Sequence, residues 1–121
     1  MLTLALWLVC GGALMGVSLA VLHGLERRPP LWSGLVHAAT GLVGLGVLLA
    51  ALGGPPRAVA LGGASFGIVA AAMLGAAALA GGLILALRLR GTKPSVMLIG
   101  LHATVALFGV TILAAYLSLP A

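Results

Sequence analysis

Charge is scarce in this chain. Six of 121 residues are Lys or Arg and one is acidic, so charged side chains make up 6%. Soluble domains run at about a quarter charged, and a chain this poor in charge cannot coat a globule that faces water. The lone carboxylate, Glu26, leaves no carboxylate pair for acid–base chemistry. Neither an activated nucleophile nor a phosphate-binding glycine loop is present. No independent hydrolase or transferase activity is therefore expected. A single cysteine, Cys10, excludes an internal disulfide. No basic residue precedes the apolar stretch Met1–Leu22, as one would in a secretory signal, so this stretch is expected to be a retained membrane span.

What the chain has instead is apolar bulk: 63% hydrophobic residues and a mean hydropathy of +1.33. It also has 19 glycines, which in a lipid-embedded chain serve close helix packing. The pI near 11.4 does not point to nucleic acid. The few basic residues lie in short loops between apolar runs, the pattern of membrane topology signals.

Four uncharged runs follow one another: Met1–Leu25, Pro29–Pro56, Ala58–Leu87 and Pro94–Ala121. Each exceeds the roughly 20 residues that cross a bilayer as a helix. The joins ERRPP, GGPPR and RLRGTKP break them into helices expected near 2–23, 31–52, 63–88 and 95–117. The fold class that follows is an all-α integral membrane protein, a four-helix bundle of two tandem hairpins in one membrane domain. Arg27, Arg28, Arg88, Arg90 and Lys93 fall on one side and only Arg57 on the other. By the positive-inside rule the two basic loops are expected in the cytoplasm and both termini outside, in a multi-pass protein of a bacterial inner membrane. Trp7 and Tyr116 are then expected toward the outer interface and Trp32 at the inner one.

Shifting the sequence by 65 residues aligns 1–56 with 66–121 without a gap and gives 14 identities. Leu and Ala matches are cheap in such a composition. The rarer residues decide it: Gly16 with Gly81, Pro29 with Pro94, His37 with His102, Gly44 with Gly109, and basic Arg28 with Lys93. A repeat of two spans keeps its orientation, so the halves are expected to be related by an axis along the membrane normal.

His37 and His102 each follow such a proline by eight residues. At 1.5 Å per residue that places both rings about 12 Å into the span, at the same depth. Their helices are diagonal in an up-down-up-down bundle, so inward-pointing rings face each other across its axis. Gly41 and Gly44 follow His37 at i+4 and i+7; Ala106 and Gly109 follow His102 at the same offsets. Each histidine thus stands above a strip of small residues, fit for a close helix or a flat ligand.

An ionisable residue within a span is a functional hypothesis by default. The sharpest one is a haem held axially by His37 and His102, with the small-residue strips admitting the macrocycle. Arg28, Arg88 and Lys93 would then compensate its propionates. His23 aligns with Arg88 and is expected as a polar anchor at the inner interface, with a propionate contact as its functional alternative. A metal site using Cys10 has no repeated partner to support it. The structural alternative is that each ring hydrogen-bonds a neighbouring carbonyl or hydroxyl, with Thr40, Thr104 and Ser33 at hand, and holds the helices in register. The pair Gly12 and Gly16 serves tight helix contact and equally a homodimer.

On these residues the chain resembles small b-type membrane cytochromes, in which a four-helix bundle holds haem between histidines on different helices. The resemblance covers the four spans and rests on His37 and His102. It implies haem b as cofactor, electron transfer as function, and a quinone or a larger membrane redox complex as partner. Two deep histidines imply one haem rather than two. Competing classes are a colourless structural or accessory subunit and a small dimeric transporter. The small multidrug transporters, similar in length, need an acidic residue in their first span, and Met1–Leu22 has none.

Overall fold

A computed structural model of the protein describes residues 1–55, 57 and 62–120. Four helices carry the chain: α1 (Leu2–Gly24), α2 (Leu31–Leu52), α3 (Gly63–Leu89) and α4 (Val96–Ser118). There is no strand among the described residues. All four helices are long and apolar enough to cross a membrane. Their ends fall within one residue of those expected from the breakers. Pro56 and Ala121, the last residues of the two expected repeats, lie outside the described residues.

The ends have local causes. Ser95 Oγ accepts the Leu98 N–H at 3.2 Å, which starts α4 one residue beyond its cap. Helices α1 and α3 stop alike: Arg27 N–H donates to Leu22 O and Thr92 N–H to Leu87 O, both at 2.9 Å. Such a closure puts one residue into the left-handed region. In α3 that residue is Gly91 (φ 74); in α1 it is Glu26 (φ 57), a conformation that glycine adopts freely and glutamate does not.

Each helix packs against its two sequence neighbours, and α1 against α4 closes the ring, while the diagonal backbones do not approach. The fully buried core lies at the end away from the basic loops, where Ala5, Leu48, Ala70 and Leu113 are all 0% exposed. These are two equivalent pairs, 65 residues apart. Glycine lets the helices close there. A Cβ on Gly44 would lie 2.8 Å from Val9 Cγ1, and one on Gly109 would lie 2.9 Å from Leu74 Cγ. Val9 and Leu74 are again equivalent positions.

The outer surface suits lipid, with Trp7, Leu14, Trp32, Leu79 and Met97 all exposed. Tyr116 differs from its expected place at an interface. It is buried, at the position where Gly67 has no side chain, and its hydroxyl accepts the Arg57 N–H at 3.5 Å. The Arg57 guanidinium in turn donates to Leu117 O and Leu119 O, satisfying carbonyls at the end of α4.

Candidate functional site

Toward the basic loops the four helices part around a cavity of about 630 Å³. That lies inside the range of about 300–1,000 Å³ usual for sites of small molecules and cofactors. His37 and His102 face each other across it, with ring centroids 5.9 Å apart and ring planes at 85°.

Each ring is held by the helix before its own. His37 Nδ1–H donates to Gly12 O at 2.9 Å, and His102 Nδ1–H donates to Ala77 O at 2.8 Å. A carbonyl can only accept, so the proton is on Nδ1 and the lone pair of the neutral ring is on Nε2. Neither Nε2 has a hydrogen-bond partner among the described residues. One turn beyond each accepting carbonyl stands a glycine. A Cβ on Gly16 would lie 2.9 Å from His37 Cε1, and one on Gly81 would lie 3.0 Å from His102 Cε1. Cα–Cβ bonds tilt toward the helix N-terminus. A side chain at residue 16 would therefore cover the turn that the ring must lie on.

Gly12, Ala77, Gly16 and Gly81 thus hold the rings, and none was among the site residues expected from the sequence. A signal was present: each histidine has a glycine 21 residues before it, and both copies keep the pair. Two of the three hydroxyls considered as ring partners are engaged elsewhere. Thr40 Oγ1 donates to Val36 O at 2.8 Å and Ser33 Oγ to Pro30 O at 2.6 Å, each within its own helix.

The small-residue strips divide. Gly41 and Ala106 line the cavity, and a Cβ on Gly41 would meet open space. Gly44 and Gly109 lie deeper, outside the cavity lining, in the helix crossings already described.

The basic residues gather at the mouth. Arg27, Arg28, Arg88 and Lys93 all line it, and so does His23. Arg88 Nη2 donates to Pro29 O at 2.6 Å, joining the last turn of α3 to the start of α2. Lys93 pairs with Glu26 at 3.3 Å, both well exposed. Such a surface pair contributes at most about 1 kcal/mol. Cys10 lies away from the cavity lining.

An imidazole nitrogen binds a first-row metal at about 2.0–2.1 Å, and its ring centroid lies ~1.1 Å further back, so two axial rings on one iron have centroids ~6.3 Å apart. The observed 5.9 Å is a few tenths of an ångström short of that. There is no cluster of three or more metal-ligating side chains among the described residues. The two facing imidazoles offer one nitrogen donor each. Compared with models of known protein families, with curated proteins and with solved structures, the chain matches none.

Proposed function

We propose that the chain is a b-type haem carrier, with His37 and His102 as the axial ligands of one haem and electron transfer within the membrane as its function. The observation that carries this reading is the paired geometry. Two level imidazoles stand with ring centroids 5.9 Å apart, each with Nδ1–H on a backbone carbonyl and Nε2 without a partner among the described residues. When bound, haem supplies a one-electron iron couple whose potential follows axial ligation and burial. The Nδ1–H bonds to Gly12 and Ala77 hold the tautomer and raise the basicity of the ligating nitrogens. Gly41 and Ala106 leave room beside the rings, and Arg28, Arg88 and Lys93 offer cations to the carboxylates.

In this reading the basic loops lie on the cytoplasmic side of a bacterial inner membrane. A one-electron carrier inside the bilayer then calls for a quinone or a larger membrane redox complex as partner.

The test is an absorption spectrum of the protein purified in mild detergent after haem-supplemented expression. The expected result is a Soret band that moves on dithionite reduction and is lost in His37→Ala and His102→Ala. A colourless, fully helical protein would favour the second reading. There the two ring–carbonyl bonds, which tie α1 to α2 and α3 to α4, are the whole role of the histidines in an accessory subunit.

A further inference from the structure

His23 and Arg88 occupy equivalent positions in the two hairpins, 65 residues apart, and both line the mouth of the cavity. They differ in what satisfies them. The Arg88 guanidinium is anchored on Pro29 O at 2.6 Å. On the other side His23 Nε2 is buried and has no partner among the described residues. A buried polar atom without a partner is costly, and it is normally paired in the working state of a protein.

Among the described residues no side chain serves as that partner. Arg27, Arg28, Arg88 and Lys93, the other ionisable residues at the mouth along with Glu26, have only donors, so with the ring proton on Nε2 none of them can accept it. Glu26, the sole carboxylate in the chain, is engaged with Lys93. The mouth therefore has donors in excess and one buried nitrogen unpaired. A guest with anionic oxygens at this edge would balance both.

We infer that His23 and Arg88 are the two carboxylate receptors of the cavity, one for each acid group of a dicarboxylate guest, with His23 Nε2–H donating to its carboxylate. The inference rests on the haem reading, in which the acid groups are the two propionates. These extend from one edge of the macrocycle. The repeat in turn places two polar residues at one end of the cavity, on α1 and α3. The chain has made the two positions unequal: an arginine at 88 and a histidine at 23.

The experiment compares two probes, iron protoporphyrin IX and its dimethyl ester. Both are titrated into detergent-purified apoprotein and followed by the Soret shift. Wild type is expected to prefer the free acid about tenfold or more, the size of a charge-assisted hydrogen bond. His23→Leu should bind the ester as wild type does and lose His23's share of the preference for the acid, keeping the share that Arg88 supplies. His23→Arg, which makes the two positions alike, should restore it. Helix content by circular dichroism checks that each variant is folded. Should His23→Leu fail to fold, the acid-to-ester ratio of wild type against His23→Arg decides, and a wild-type ratio near one overturns the inference. A His23→Leu protein with the wild-type ratio overturns it as well and leaves the haem reading standing. If neither porphyrin shifts the Soret band of wild type, the haem reading falls and this inference with it.

Discussion

The two hairpins share their depths and differ at the mouth. In the first, Ala5 and Leu48 are fully buried, Gly44 meets Val9, and His37 lies on Gly16 with its Nδ1–H on Gly12 O. In the second, Ala70, Leu113, Gly109, Leu74, His102, Gly81 and Ala77 take the same places. At the basic loops the prolines and the turn closures still match, but the side chains differ. Glu26 stands opposite Gly91, Arg27 opposite Thr92, and His23 opposite Arg88. Sequence varies where the bundle is open. Contacts are repeated where two rings must be level and where helices must close. Even the change from Gly12 to Ala77 is of this kind, because only the backbone oxygen at that position meets the ring.

The sharpest way to break the correspondence is to remove one ring. His37→Ala and His102→Ala should each lower haem affinity by more than about a hundredfold, above the 10–100-fold usual for losing a supporting contact. Equilibrium titration of the purified variants measures this. A large loss in one variant and none in the other would refute the shared role.

Next in size are the glycines under the rings. Gly16→Ala places a methyl 2.9 Å from His37 Cε1 and Gly81→Ala one 3.0 Å from His102 Cε1. Each ring is pushed against its hydrogen bond to the carbonyl, and affinity should fall about 10–100-fold in each variant. Nitrogen-15 NMR of labelled histidine would report the lost Nδ1–H bond even without haem.

Two glycines on one helix then separate cavity from core. Gly41→Leu fills the cavity and should block haem while leaving the thermal midpoint of the apoprotein unchanged. Gly44→Ala should instead cost about 1–3 kcal/mol of stability, as overpacking does, because the methyl would meet Val9 Cγ1 at 2.8 Å and Val9 N at 3.3 Å. Thermal unfolding in detergent reads the difference.

The smallest effect belongs to the mouth. Glu26→Gly gives the first hairpin the residue that the second has at its left-handed turn. It should stabilise by about 1 kcal/mol from relieved backbone strain, offset by less than about 1 kcal/mol from the exposed pair with Lys93. Its haem affinity should match wild type.

The helices were legible in the sequence because their breakers are. ERRPP combines proline with charge, and RLRGTKP adds glycine, between runs that have no charge, and so they leave little freedom in where a span ends. The meeting of His37 and His102 was legible too, since equal spacing from a proline sets equal depth, and alternating spans put their helices on a diagonal. The rotation of each helix about its own axis was not. Gly41 and Gly44 share a face by spacing, yet one borders the cavity and the other is clamped by Val9. The outcome depends on where α1 crosses, and no residue of α2 encodes that alone. Tyr116 shows the same limit. Its inward turn depends on the space over Gly67 and on the Arg57 N–H, both distant in sequence.

The central claim concerns one iron between two rings, so the most direct measurement is the spin state of the ferric protein by low-temperature electron paramagnetic resonance. Wild type should give a single low-spin signal with two nitrogen axial ligands, and that low-spin signal should be gone in His37→Ala and in His102→Ala. A wild-type signal that is high-spin, or a low-spin signal that survives in either variant, would contradict the account.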